Sequence, residues 1–278
     1  MTAVDQAINP RVSLNGVYDW AASLQDDVGL CGQIGIAQLG VLNSKVERAG
    51  IREAATIIGR ASLGVSTVVH PCAFTLARPQ QWAQELSAAK RSVDYAVALG
   101  SPTVYTTTGP RGELSWNKAA AAFTEAVSEW ADYARERSVQ LLVEPTTHYA
   151  SAISMVHTLG DLLSVTAAAG LGDCLDAYGC WYDSTFRTHL DQAAAVCGLV
   201  QVSDYVLGER HSRVRAVPGD GIIEWDAIFA ALAAHSDSGA FDIELLGTRV
   251  EAEGIVPAFR RAAVWLTERL DAYPGRFR

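Results

Sequence analysis

The stretch VQLLVEPTTHYA, residues 139–150, decides how the rest of the chain is read. Val139 to Val143 form a near-continuous apolar run of strand length, as expected of a parallel strand covered on both faces. The run ends on Glu144, with Pro145 directly behind it to stop the strand. A carboxylate at the mouth of a core strand is costly to desolvate unless something pairs with it. An arginine, a hydrogen-bond network, a substrate or a metal ion could each serve.

The same rhythm repeats along the chain. Short apolar runs such as RVSLNGV, GIAQLGV, VSTVVHPCAF and PTVYTTTG each precede a longer helical pattern. GDCLDAYG, GLVQVSD and AFDIELLG continue the series. The helical patterns carry apolar residues at spacings of three and four: Phe123, Val127, Trp130 and Tyr133 in one, Phe259, Ala263 and Leu266 in another. About eight strand-plus-helix units in this length predict the α/β class and a single (β/α)8 TIM barrel over residues 1–278. The competing doubly wound sheet is disfavoured because no GxGxxG follows the first strand. GPRGELS and DYVLGERHSRVRAVPGDG read as long loops, where barrels place their chemistry.

Composition narrows the function classes. The chain has 278 residues, 49% of them hydrophobic, and a formal net charge of −9. With no lysine- or arginine-rich run, a phosphate-tracking surface is not expected, and nucleic acid is disfavoured as a partner. Five cysteines without a CxxC pair read as reduced thiols, not a disulfide frame. No basic-then-apolar leader and no apolar run of about 18 residues stand out, so the expectation is a soluble cytoplasmic protein without membrane contact. Self-association into a homo-oligomer stays open.

In a barrel, the carboxyl-terminal strand ends converge on one cavity. Read in order, they offer Trp20, then Asn43 and Lys45, His70 and Cys72, Thr107, Glu144 and His148, Asp176, Gln201 and Asp204, and Glu244. Three of these, Glu144, Asp176 and Glu244, are carboxylates on strands five, six and eight. Taken singly, each could pair with an arginine or cap a helix. Facing one cavity together they repel, and a divalent cation with oxygen ligands, Mg²⁺ or Mn²⁺, relieves that repulsion.

The segments VEP, CLDAYG, VQVSD, RAVPGDGIIEWDAIFAAL and FDIELLG, in this order, resemble the xylose isomerase-like superfamily of sugar isomerases and epimerases. That superfamily also holds endonuclease IV and the 3-dehydroshikimate dehydratases. The resemblance implies one divalent metal held by Glu144, Asp176, Gln201 and Glu244. It implies a substrate contact for Arg215, and opposed proton-transfer roles for Glu144 and Glu244. Two positions depart from the common pattern. Gly179 stands where many members carry a histidine that polarises substrate, and Gln201 where many carry a histidine ligand. His148, His70 and Tyr182 are candidates to replace the first, His148 in a catalytic role. Trp20, Trp181 and Tyr182 are candidates to wall a sugar or cyclitol ring.

The implied reaction is proton abstraction beside a carbonyl of a small polyhydroxylated substrate, followed by return of the proton. Loss of a β-substituent would make the same first step a dehydration, so a lyase is the alternative. Endonuclease chemistry is disfavoured, because Gly179 and Gln201 replace histidines it requires. A non-catalytic barrel is the remaining rival.

Overall fold

The computed structural model describes residues 7–211, 213–235, 239–273 and 276. Eight strands close into one all-parallel barrel: β1 Val12–Asn15, β2 Gln38–Leu42, β3 Gly64–His70, β4 Thr103–Thr106, β5 Gln140–Val143, β6 Gly172–Asp176, β7 Cys197–Val202 and β8 Ala240–Ile243. The last strand pairs back onto the first, Val12 opposite Phe241 and Leu14 opposite Ile243. A closed, entirely parallel sheet has no free edge, and each strand needs a crossover helix on its outer side. The helices Leu24–Ile34, Ile51–Arg60, Trp82–Leu99, Trp116–Arg135, Leu159–Ala169, Phe186–Val196, Trp225–His235 and Ile255–Asp271 supply them.

Period-two alternation splits the strand side chains between two cores. The outward set, including Val12, Leu14, Val68, Val104, Leu141, Val143, Val200 and Ile243, packs under the helices with Phe123, Trp130, Phe229 and Phe259. The inward set is smaller: Val17, Leu42, Val69, Tyr105, Leu142, Cys174 and Leu199. The inside also carries polar groups. Asn15 Nδ2 donates to the Tyr105 hydroxyl at 2.9 Å. Asp242 is fully buried opposite Gly40, where a Cβ would meet its carboxylate at 2.8 Å. Gly40 therefore gives Asp242 its space.

Local signals explain where several elements begin. Ser23 and Asp26 form a reciprocal capping box at the start of Leu24–Ile34. The Thr158 side chain accepts from Asp161 N at the start of Leu159–Ala169. The apolar run 139–143 yields a strand only from Gln140, since Val139 closes the preceding helical turn through the Ala134 carbonyl.

One strand-end reading needs correction. Lys45 does not enter the cavity. It lies in the short helix Asn43–Ala49, fully buried, with Nζ bonded to the Asp27 carboxylate at 2.7 and 2.9 Å and to the Gly16 carbonyl at 2.8 Å. The chain turns helical directly after Leu42, which swings the side chain outward to the helix Leu24–Ile34.

Candidate active site

At the carboxyl-terminal ends of the strands lies a cavity of about 450 Å³. Val17 and Trp20 line one side, Tyr105 and Thr107 another, and Glu144, Asp176 and Glu244 the polar floor. Each carboxylate is set by a strand. Glu144 follows β5 and its N–H still bonds the Thr106 carbonyl, at 2.9 Å. Glu244 follows β8, with its N–H on the Val202 carbonyl at 3.2 Å. Asp176 ends β6 and caps the turn Ala177–Cys180 by accepting from Tyr178 N at 3.1 Å. The three offer ligand atoms within 4.8 Å of one another, all buried.

Arg215 reaches into this cluster. Its Nη1 donates to Asp176 Oδ1 at 3.1 Å and to Ser203 Oγ at 3.1 Å. Its Nη2 lies 2.9 Å from Asp176 Oδ2 and 2.9 Å from Glu244 Oε1. One guanidinium against three carboxylates leaves a formal charge of −2 in the site. The electrostatics show the strain. Burial, then Glu244 and Asp176, hold the Glu144 carboxyl well above the usual carboxylate range. Burial pushes Glu244 up to about 7, with Asp176 adding to it and Arg215 opposing. Burial works against the charge on Arg215, yet Asp176 and Glu244 keep the guanidinium firmly protonated.

Gln201 is fully buried and outside the open cavity wall. It sits beside Asp176 in the β6–β7 register and beside Asp242 in the β7–β8 register. Neither amide atom of Gln201 has a hydrogen-bond partner among the described residues, and Glu244 Oε2 is likewise unpartnered. A buried amide left unpaired costs about 1–3 kcal/mol and calls for an explanation. With three carboxylates next to it, a cation-binding role fits the orphaned atoms and the uncompensated charge.

The remaining sequence candidates divide. Trp20 lines the cavity and is 43% exposed. His70 does not: it is buried, 5.2 Å edge-on to Trp130, with Nδ1 3.2 Å from Asn43 Nδ2. Burial, then Arg91, lowers it to about 4, so the ring is a neutral part of the outer core. His148 and Tyr182 line a second cavity next to the first, in company with Trp181. His157, in the loop between β5 and the helix Leu159–Ala169, lines that second cavity too, with Nδ1 2.9 Å from the Thr146 carbonyl.

Gly179 has a steric reason. A Cβ there would lie 2.3 Å from the Pro145 carbonyl oxygen and 3.1 Å from Thr146 Cα. The loop leaving β5 passes so close that no side chain fits, histidine included.

Three residues escaped the sequence reading in their true roles. Tyr178 stacks on Arg215, guanidinium to ring centre 4.6 Å, and its hydroxyl donates to the carbonyls of His211 and Val214 at 3.2 and 3.1 Å. Asp204 organises the PGDG loop, accepting from the backbone of Tyr205, Gly219 and Ile223 at 2.9, 2.9 and 3.0 Å. Asp242, two residues before Glu244 and on the same strand face, was there to be found by alternation.

The comparisons with known proteins agree with this architecture. A family model described as xylose isomerase-like TIM barrel matches residues 35–268. Among curated proteins, none matches the chain. Among solved structures, the IOLI protein with a binding zinc atom superposes with a TM-score of 0.81 at 16% identity, covering 95% of this chain and 99% of that one. D-psicose 3-epimerase with D-tagatose, from Clostridium cellulolyticum H10, gives 0.74 at 16% identity, covering 96% and 99%. A 3-keto-D-glucoside 4-epimerase from E. coli, in apo form, gives 0.75 at 14% identity, covering 92% and 98%. Likenesses at these identities speak for the fold, whereas the family model spans most of the sequence. The chain therefore belongs to the xylose isomerase-like TIM barrel family.

Proposed function

We propose that this chain is a divalent-metal-dependent isomerase or epimerase of a small keto-sugar or cyclitol-like substrate. The observation that carries the reading is the convergence of Glu144, Asp176 and Glu244, buried and within 4.8 Å, on the floor of one strand-end cavity. Two epimerases of sugars among the structural neighbours support it.

Glu144, Asp176, Gln201 and Glu244 would hold the cation, whose charge acidifies a C–H bond next to a carbonyl. Their donors are all oxygen, which favours Mg²⁺ or Mn²⁺. Glu144 and Glu244 rise from strands separated by two others and so reach the cavity from different sides. One takes the proton and the other returns it. Arg215 lines the cavity with its Nη donors engaged by Asp176, Ser203 and Glu244 and stacks on Tyr178, so it would meet a substrate oxygen by sharing or exchanging one of those bonds. Val17, Val69 and Trp20 give the cavity an apolar wall that limits water beside the reacting carbon. His70 takes no part, because its ring lies in the outer core. His148 lies beyond the cavity wall.

The partner is thus a small polyhydroxylated carbonyl compound. The net charge of −9 disfavours nucleic acid. Among the described residues no helix is long and apolar enough to cross a membrane, and we place the protein in the cytoplasm.

The test is proton exchange. Keto-sugars, inososes and 3-dehydroshikimate are each incubated in D₂O with Mn²⁺, and deuterium gain and products are followed by NMR. Exchange with epimer or isomer formation is expected from a keto-sugar or inosose. It should vanish in Glu144→Gln and Glu244→Gln. Product from 3-dehydroshikimate alone would replace the isomerase with a lyase.

A further inference from the structure

Beside the reaction cavity is a second one, of about 410 Å³, and the two share Thr147 and Tyr178 as walls. The second cavity is aromatic. A chain of rings leads into it from the carboxylate cluster. Arg215 stacks on Tyr178; Tyr178 lies 6.0 Å from Tyr205; Tyr205 lies 5.2 Å from Trp181 at 39°; and Trp181 lies 5.0 Å from Tyr182 at 77°. Tyr149 lines the same cavity from the single 3₁₀ turn after β5.

The inner part is fixed in place. Tyr205 donates from its hydroxyl to the Glu209 carbonyl at 2.6 Å, and Tyr178 to two carbonyls. The outer rings are largely exposed: Tyr182 is 82% exposed and Tyr149 60%. A lone exposed aromatic needs no explanation. Two of them lining one cavity with the half-buried Trp181 and Tyr205, next to a held ring stack that begins at Arg215, form a surface with a use. Its size falls within the range of ordinary ligand pockets, about 300–1,000 Å³.

We infer that the second cavity is a subsite for a ring-bearing substituent of the substrate, so that the natural substrate is a glycoside and not a free monosaccharide. This rests on the proposed function, which places the carbonyl sugar in the first cavity. Flat or ring-faced groups gain most from rigid tyrosine and tryptophan faces, which lose little conformational freedom on binding. His148, His157 and His211 around the rim add hydrogen-bonding groups for hydroxyls. The shared chemistry, a ring carried on the sugar through a glycosidic bond, fits an aryl group or a second sugar.

Three probes test this on the full chain with Mg²⁺: the 3-keto forms of methyl β-D-glucopyranoside, phenyl β-D-glucopyranoside and cellobiose, titrated by saturation-transfer NMR. The expected result is that a ring-bearing probe binds roughly three- to tenfold tighter than the methyl glycoside, as one added ring contact gives. Its outer ring protons should receive saturation. The tighter of phenyl glucoside and cellobiose tells an aryl group from a sugar. Tyr182→Ala, at an exposed position that the fold does not need, should shrink the preference. Equal affinities, no binding by either ring-bearing probe, or a preference untouched by Tyr182→Ala overturns the subsite. Deuterium exchange on simple keto-sugars with no ring preference would leave the reaction standing and remove the subsite. A ring preference without any exchange would do the reverse.

Discussion

Arg215 holds Asp176 by a two-pronged grip, Nη1 on Oδ1 at 3.1 Å and Nη2 on Oδ2 at 2.9 Å, inside a site where both side chains are almost wholly buried. The same Nη2 touches Glu244. The arginine thus serves as a built-in counter-ion for a cluster that would otherwise be three uncompensated carboxylates. It covers only part of the charge. Glu144 is the member left outside its ion pairs, and Glu144 is also the carboxyl held well above its ordinary range, by burial first and by Glu244 and Asp176 next.

Removing that counter-ion should be severe. Arg215→Met keeps much of the side-chain volume but strips the charge, and breaking a buried pair in this way costs about 3–5 kcal/mol. The check is denaturant unfolding in chelator, where the variant's midpoint should fall without a change in slope. Saturating Mg²⁺ should then restore more stability to the variant than to the wild type, because in the variant the cation is the sole relief of the repulsion. No response in either protein would mean that no cation enters the cluster, and equal responses that Arg215 and the cation do not relieve the same repulsion.

Gly179→Ala should be destabilising by about 1–3 kcal/mol, since one added methyl group must push the Pro145 carbonyl oxygen back from 2.3 Å. Gly179→His, the substitution that would restore the common family pattern, should be worse and should lower the yield of folded protein. Thermal unfolding of both variants is the measurement. A Gly179→His variant with an unchanged melting temperature would show that the β5 loop gives way freely.

The stability of the chain should carry a signature of His70. Its folded value, about 4, lies below the ordinary 6.5 because the ring is buried. Between those two values the unfolded chain binds the extra proton, so stability contributed by the neutral ring is present above pH 6.5 and is lost as pH falls towards 4. The full span is worth about 3 kcal/mol. Asp242 and Asp173, raised to about 7 and about 6 by burial, slope the other way. The comparison must therefore be between wild type and His70→Phe, not of wild type alone. The variant should be less stable at pH 7, and the gap should narrow or invert by pH 4.5. A gap constant with pH would mean that His70 titrates normally.

Much of this was legible in the sequence, and for definite reasons. The eight apolar runs and their helices identify the barrel because both periods are strong and the units repeat. Glu144, Asp176 and Glu244 were legible because a charge directly after an apolar run has few explanations. What failed was anything set by where the backbone turns. Lys45 follows β2 by three residues, yet the immediate helix carries it away from the cavity to Asp27. His70 closes β3 on the outward face, one residue off the inward set that Val69 belongs to. Tyr182 and His148 do lie near the site, but in the adjoining cavity that shares Thr147 and Tyr178 with the first, a division that no spacing in the sequence announces.

The last prediction concerns Gln201, whose two amide atoms are buried without partners among the described residues. If they serve nothing, Gln201→Leu removes two unsatisfied polar groups at nearly constant volume. It should then be neutral or stabilising in chelator and in Mg²⁺ alike. If the amide oxygen holds a cation, Gln201→Leu should still be tolerated in chelator but should bind Mg²⁺ or Mn²⁺ at least tenfold more weakly, a change of about 1.4 kcal/mol. Gln201→His replaces a hard oxygen with an imidazole nitrogen and should move the ranking towards Co²⁺ and Zn²⁺. Calorimetric titration of the three chelator-treated proteins with each metal measures this directly and needs no substrate. The expected pattern is weaker Mg²⁺ binding in both variants and stronger Zn²⁺ binding in Gln201→His alone. A metal ranking and affinity common to all three proteins would place Gln201 outside the coordination sphere, as a packing residue beside Asp176.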